Sequence, residues 1–350
     1  MLFGSKDSVG IDIGSSYIKA VKLKEARGSY ELDFYAVHPL PPELIVDGSI
    51  IDSIRLTDSL KEMVKKSGLK TKNAVISISG HSSVIIKRIS LPEMSEEELS
   101  ESIKFEAEQY VPFDIEDVNL DFQIIGPKEE AGQMDVILVA VKKDIINEYI
   151  SVVKDAGLVP VIVDIDSFAL ENMYGVNYEI EPGRNIALLN IGASTINMSI
   201  LKGGISVFTR DSSLGSNLHT EALQREFNIS YENAEKVKRG EAVENVSPSD
   251  AAGVIESASE EILSEIIRSF DYYRSTTVQE DISEVILSGG CSLIGNFASM
   301  IAERSGIETK IVEPFRNIKV PKRFDIVNLQ EVAPMLAVSV GLALRKQGDR

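Results

Sequence analysis

Val9-Gly-Ile-Asp-Ile-Gly-Ser-Ser-Tyr-Ile-Lys-Ala-Val21 is the stretch that decides the fold. Apolar residues flank a short Asp-x-Gly-Ser-Ser turn, so it reads as strand, tight turn, strand. Far downstream, Ile186-Ala-Leu-Leu-Asn-Ile-Gly-Ala-Ser-Thr-Ile-Asn-Met-Ser-Ile200 repeats the design. Asp12 aligns with Asn190, Gly14 with Gly192 and Ser16 with Ser194, all at one constant offset. Self-similarity half a chain apart points to two lobes of related topology.

The chemistry of such a hairpin follows from its shape. A turn without bulky side chains presents successive backbone N–H groups that cradle phosphate oxygens. Ser15 and Ser16 add hydroxyl donors, Lys19 offsets phosphate charge, and Asp12 is a hard oxygen ligand for Mg²⁺, directly or through water. One copy alone reads equally well as an ordinary turn. A third element tips the balance: in Val285-Ile-Leu-Ser-Gly-Gly-Cys-Ser-Leu-Ile-Gly295 a strand enters a Gly-Gly turn and leaves into a helix carrying Leu293, Phe297 and Ile301. Gly289 and Gly290 let the backbone approach a flat adenine and ribose, and the helix start favours a phosphate. Neither a Walker motif nor a Rossmann glycine fingerprint is present, which disfavours those two nucleotide folds.

Composition narrows the partners. Among 350 residues, 36 Lys and Arg face 54 Asp and Glu, a formal charge of -18. That balance excludes a basic nucleic-acid stripe and disfavours attraction to an anionic membrane surface. Cys291 is the single cysteine, so there is no internal disulfide and no cysteine metal cage, which implies a reducing compartment. His38, His81 and His219 are too scattered for a metal-ligand pair. No apolar run approaches membrane-helix length, and the opening lacks the apolar core of a signal peptide.

Between and beyond the hairpins the pattern alternates. Leu56, Leu60, Met63 and Val64 mark a helix stopped at Gly68, and 73–79 is a strand. Ser95 with Glu98 forms a capping box for a helix whose buried stripe is Leu99, Ile103, Ala107 and Tyr110. A strand over 135–141, a helix over 145–156 closed by Gly157 and a strand over 158–163 follow. Residues 83–160 thus read as an inserted α/β module. After a linker at 179–184, helices are expected over 230–239 and roughly 249–276, a strand over 284–288, and a final helix from near Pro334 to about Arg345.

The two hairpins, the Gly-Gly turn and Ala333-Pro-Met-Leu-Ala-Val-Ser-Val-Gly341 occur in the order of the actin/Hsp70/sugar-kinase ATPase fold, an α/β class. More narrowly, the chain resembles the PilM family of actin-like type IV pilus assembly proteins. The residues that carry this are the opening Met-Leu-Phe-Gly before Val9-Gly-Ile-Asp-Ile-Gly, then Leu91-Pro-Glu-Met-Ser-Glu-Glu-Glu-Leu99, Glu106-Ala-Glu-Gln-Tyr-Val-Pro-Phe113 and Glu265-Ile-Ile-Arg-Ser-Phe-Asp-Tyr-Tyr273.

The resemblance implies a first lobe of residues 1–82, completed by about 161–183 and 334–350. An FtsA-like 1C module occupies 83–160. The second lobe covers 184–333, with a smaller part at about 217–276. It further implies ATP and Mg²⁺ in the cleft between the lobes. Carried over by position, phosphate contacts fall on Gly14, Ser15, Ser16 and Lys19, then Gly192, Ala193, Ser194 and Thr195. Gly215 and Ser216 lie in the loop near the ribose, Glu235 and Lys238 border the adenine, and Gly289, Gly290 and Ser292 complete the pocket. Without the resemblance, Glu235 and Lys238 read as an exposed helix face of mixed charge.

One departure stands out: the second hairpin of actin-like ATPases usually carries Asp where this chain has Asn190. The amide keeps the shape but loses charge and basicity, so ATP binding with weak or no hydrolysis is the expectation. Asp164 and Asp166 follow the preceding strand, with Asp166 the candidate for orienting water; each also reads as the N-terminal acid of a helix.

The implied partner is the N-terminal cytoplasmic tail of PilN, a bitopic protein that recruits the family to the inner membrane, with other platform proteins, assembly ATPases and self-association as further contacts. The implied localisation is cytoplasmic, without direct membrane insertion. Val84, Ile85 and Ile86, with Tyr110, Val111, Pro112 and Phe113, are candidates to line the peptide groove and read equally as core. Two other functions fit the same fold: a sugar- or acid-kinase phosphotransferase, and an FtsA-like filament protein.

Overall fold

A computed structural model describes residues 7–26, 28–128, 132–276, 281–346 and 348; the opening Met1-Leu-Phe-Gly4 motif lies outside them. Period-two apolar runs build β1 (Ser8–Ile13), β2 (Tyr17–Ala26) and β3 (Ser29–Pro39), followed by the two-residue strands β4 (Ile45–Val46) and β5 (Ser49–Ile50). Helix α1 (Ser53–Ser67) starts where the Asp52 carboxylate accepts from the Arg55 amide and stops at Gly68, whose φ of 70° suits glycine. Strand β6 (Asn73–Ile78) returns to the sheet.

The inserted module is β7 (Val84–Pro92), α2 (Glu96–Ala107), β8 (Val118–Pro127) and β9 (Gln133–Lys142), in the sheet order β7-β9-β8. The Ser95–Glu98 capping box forms as expected. Every residue from Met134 to Val141 is buried, because β9 is covered on both faces. Met134, Val136, Leu138 and Ala140 pack with Leu99 and Ile103 of α2. Ile137, Val139 and Val141 join the core of the first lobe. Tyr110, expected on the buried stripe, lies past the end of α2 and is exposed.

The chain then returns through α3 (Lys143–Asp155), β10 (Val159–Ile165) and α4 (Asp166–Asn177). Ile145, Tyr149, Val152 and Val153 of α3 pack with Leu56, Leu60 and Met63 of α1, and β10 pairs in parallel with β6. The block 83–160 therefore divides: 84–142 forms the three-stranded module, while 143–160 packs into the first lobe.

The second lobe contains β11 (Asn185–Ile191), β12 (Ile196–Lys202), β13 (Ile205–Ser212), α5 (Asn217–Phe227), α6 (Tyr231–Lys238), α7 (Pro248–Thr276), β14 (Glu284–Ser288), α8 (Phe297–Ser305) and β15 (Thr309–Ile311). Strand β16 (Ile318–Lys319) rejoins the first sheet, and α9 (Ile326–Val332) and α10 (Ala337–Leu344) close the chain. The sheet orders are β10-β6-β1-β2-β3-β16 and β13-β12-β11-β14-β15.

In the first sheet β1 is parallel to β6 and antiparallel to β2, which is antiparallel to β3. In the second, β11 is parallel to β14 and antiparallel to β12, which is antiparallel to β13. The internal repeat thus extends from the hairpins to the pairing of whole sheets. Leu170 and Met173 of α4 and Val338, Val340 and Leu342 of α10 share one core with Leu32 and Val75 of the first lobe and Leu188 and Ile286 of the second. One helical stretch, Ile326–Leu344, is long and apolar enough to cross a membrane, where none was expected, yet half of it is buried inside the fold. Gly341 explains how tightly it sits: a Cβ there would lie 1.7 Å from the Ala169 carbonyl oxygen of α4.

Candidate functional site

The two hairpins close identically and are armed differently. The Gly14 amide donates to Tyr17 O at 3.1 Å, and the equivalent Gly192 amide donates to Thr195 O at 2.9 Å. Both glycine N–H groups are therefore engaged in the turns. Asp12 and Lys19 are cross-strand partners, and their side chains meet at 2.6 Å. Asn190 and Asn197 hold the same two positions in the second hairpin, where the Asn190 amide donates to Asn197 Oδ1 at 3.1 Å.

The hairpins face one another across a cleft of about 450 Å³, in the range of small-molecule sites. The Ser15 and Ser194 hydroxyls meet across it at 2.5 Å, so the phosphate-type turns of opposite lobes touch. Asp12, Gly14, Ser15, Ser16 and Lys19 line one side, and Asn190, Gly192, Ala193 and Thr195 the other. Burial raises the Asp12 carboxyl to about 6; Lys19 opposes this and the nearby Asp166 charge adds to it. Asp166 also lines the cleft. Asp164 does not: it is buried beside Arg345 at 3.5 Å, and its Oδ1 accepts from the Ile165 amide.

The side of the cleft where the adenosine is expected is built on α6 and the Gly-Gly turn. Glu235 and Lys238 are not an exposed mixed-charge face, since their side chains are only 12% and 9% exposed and pair with each other. Lys238 also donates to Thr220 Oγ1 at 2.8 Å, which fixes the pair against α5. Both line the cleft with Ser216. The two glycines of the turn have separate duties. Gly290 lines the cleft and has open space at its Cβ position. Gly289, at φ 87°, faces protein: a Cβ would lie 2.3 Å from Ile191 O. Gly215 likewise abuts the Ala193 carbonyl, and the buried Ser292 hydroxyl donates to Gly289 O at 2.6 Å. Gly215, Gly289 and Ser292 shape the cleft from just behind its lining. Cys291 is buried, as expected of a small apolar residue, and burial pushes its thiol up to about 12.

Several lining residues were not singled out from sequence. Tyr149 of α3 reaches the cleft while its hydroxyl donates to Gly48 O at 3.1 Å; its spacing with Ile145 and Val152 reads only as core. Arg239 donates to the Tyr17 hydroxyl at 3.2 Å across the lobes. Met335 and Val332 supply apolar wall from the segment before α10, which the Gly289 amide ties down by donating to Pro334 O at 2.9 Å.

The expected peptide-lining stretches divide between two cores. Val84 is buried and Ile86 packs toward the first-lobe core, whereas Ile85, Val111 and Phe113 pack within the module. Lys142 Nζ stands 4.6 Å over the Phe113 ring, and Tyr110 and Pro112 are exposed. Among the described residues no group of three or more His, Cys, Asp or Glu side chains is arranged to hold a metal.

Residues 10–347 match the family described as Type IV pilus assembly protein PilM. Among solved structures, the chain is similar to that of the PilM-PilN type IV pilus biogenesis complex at 30% identity and a TM-score of 0.86, covering 98% of this chain and 99% of that one. It is also similar to the ethanolamine utilization protein EutJ from Carboxydothermus hydrogenoformans, at 16% identity and a TM-score of 0.56, covering 96% of this chain and 88% of that one. MreB5 of Spiroplasma citri bound to ADP matches at 15% identity and a TM-score of 0.51, over 96% and 94% of the two chains. The last two bear on fold alone, and they agree with the actin-like α/β architecture.

Proposed function

The chain belongs to the PilM family of type IV pilus assembly proteins, and from that premise we propose that it is an ATP-binding actin-like scaffold whose nucleotide state governs its grip on the cytoplasmic tail of PilN. The observation that carries the nucleotide reading is the facing pair of hairpins, with Ser15 and Ser194 in contact where a phosphate chain would thread. Gly290, Ser216, Glu235 and Lys238 then border the nucleoside.

The donor set suits Mg²⁺ held in the way that ion prefers. Asp12 offers one buried carboxylate, and the absence of a multi-carboxylate cage among the described residues leaves the remaining positions to water and phosphate oxygens. When bound, the ion neutralises phosphate charge, which this acidic chain otherwise repels. Lys19, freed from Asp12, turns to the phosphates, while Asp166 accepts a hydrogen bond from water in the cleft. Asn190 cannot accept a proton as a carboxylate would, so hydrolysis is slow and binding is the main event.

The complex named for the similar structure supports PilN as the partner. In this reading the tail lies between the first lobe and the 84–142 module, and recruitment to the inner membrane comes through it; a net charge of -18 favours a protein tether over direct lipid contact. Fluorescence anisotropy of a labelled PilN tail tests the proposal. Binding whose affinity changes when Mg-ATP is added is the expected result, and no binding in either state overturns it. The contrast with the phosphotransferase reading is read from ADP release, which no panel of sugars or acids should stimulate.

A further inference from the structure

Ser288, Asn190, Asn197 and Asp211 occupy register positions on four successive strands of the second sheet and form one continuous hydrogen-bonded row. The Ser288 hydroxyl shares its proton between Asn190 Oδ1 and Leu189 O, each at 3.3 Å, Asn190 Nδ2 donates to Asn197 Oδ1 at 3.1 Å, and Asn197 Nδ2 to Asp211 Oδ1 at 3.0 Å. At the far end the Gly80 amide of the first lobe donates to Asp211 Oδ2 at 3.4 Å.

The direction of the row is dictated by its one carboxylate. An ionised Asp211 can only accept, so Asn197 must turn its NH₂ toward it and present its oxygen to Asn190. Asn190 must then donate to Asn197, leaving its own oxygen for Ser288. An Asp at position 190 would set acceptor against acceptor at Asn197. The amide at position 190 is therefore the residue this row requires, and the negative charge stands on β13, two hydrogen bonds away from it.

The two ends of the row matter. Ser288 adjoins the Gly289–Gly290 turn, and Asn190 lines the cleft. Gly80 begins the turn into β7, with the Ser83 and Val84 amides both donating to its carbonyl. A second strut runs beside it: the Ser213 hydroxyl donates to Asp47 Oδ1 at 2.8 Å, and the His81 amide to the same oxygen at 3.3 Å. Asp211 lies beyond the cleft lining and is held by N–H donors from both lobes; its burial pushes the carboxyl up to about 6, so losing a donor is costly.

We propose that this row is the link between the nucleotide cleft and the base of the inserted module: a phosphate or its bound water that draws on the Asn190 amide releases Asn197 from Asp211 and loosens the Gly80 turn that leads into β7. The proposal rests on the nucleotide reading above and adds to it the path of regulation, with Asn197 and Asp211 as positioning residues.

The test is hydrogen exchange of the full chain over residues 79–92, with and without Mg-ATP, beside a titration with fluorescent ATP. Wild type should bind ATP and exchange several-fold faster at the Gly80 turn when loaded. Asp211→Asn, close in volume, offers an NH₂ where one donor must be accepted. It should bind ATP within about twofold of wild type and show the same exchange at 79–92 in both states. Asn197→Ala, which interrupts the row one strand earlier, should do the same. The proposal is overturned if both variants keep the ATP-dependent change, or if wild type binds ATP with no change at 79–92. Failure of wild type to bind ATP at all instead removes the nucleotide reading, and this inference with it.

Discussion

Asp12–Lys19 and Asn190–Asn197 occupy the same two positions of two copies of one hairpin, and physics treats them differently. The first is a buried ion pair opening onto the cleft; the second is an amide pair tied into a row across the sheet. A charged pair can be pulled apart by a ligand that supplies replacement charges, with Mg²⁺ for the acid and phosphate for the base. An amide pair is polarised by its neighbours and resists a change at one end unless the whole row shifts. In the proposed reading both hairpins hold the phosphates, and the second also carries the signal.

Glycine substitution should separate most widely the first hairpin from the Gly-Gly turn packed behind the second. A Cβ at Gly14 meets the movable Lys19 Nζ at 3.3 Å and the Tyr17 carbonyl oxygen at an ordinary 3.4 Å, whereas one at Gly289 meets the Ile191 backbone at 2.3 Å in a left-handed conformation. Gly289→Ala should cost about 3 kcal/mol or more in denaturant unfolding, and Gly14→Ala under about 1 kcal/mol. Equal costs would remove the claimed asymmetry.

Next in size is the loss of the charged member. Asp12→Ala should weaken Mg-ATP binding by on the order of 10–100-fold and remove its dependence on Mg²⁺, seen by titrating ATP with and without the ion. An affinity that still responds to Mg²⁺ would place the ion elsewhere.

Converting the second hairpin to the first one's charge pattern is a smaller change. Asn190→Asp should raise phosphate release several-fold over the slow wild-type rate while lowering stability by about 1–2 kcal/mol, because Asn197 loses its donor. Faster hydrolysis without a stability cost would show that the row is not under the constraint described.

The smallest expected effect is on pH dependence. Asp12 and Asp211 are both raised to about 6 in the folded chain, against an unfolded value near 4. Between those values the folded state holds more protons, so the stability these groups contribute is full below about pH 4 and lost as pH rises through 6. Asp211→Asn lacks one of the two contributions. Its Tm relative to wild type should therefore improve from pH 5 to pH 8 by roughly 1–2 °C. A constant difference across that range would mean that Asp211 is not raised.

Much of this was legible in the sequence because it is local. The hairpins announce themselves through period-two runs around a Gly-Ser turn, and the Ser95–Glu98 cap through a three-residue spacing. What escaped depends on packing between distant segments. Asn197 and Asp211 read as unremarkable polar strand residues until the register sets them side by side. Tyr149 reads as core because its neighbours on α3 are core. The module boundary falls at 142, before α3, because α3 packs on α1, which no periodicity reveals. Gly289 and Gly290 look alike in sequence, yet one faces the Ile191 carbonyl and the other the cleft.

The central claim is that a nucleotide enters between the Ser15 and Ser194 turns and is held through Asp12. Equilibrium titration of the full-length chain with fluorescent ATP in the presence of Mg²⁺ tests it most directly. The account predicts saturable one-to-one binding that unlabelled ATP displaces and that Asp12→Ala weakens strongly. Wild type that shows no saturable binding, or an Asp12→Ala variant that binds as wild type does, would contradict it.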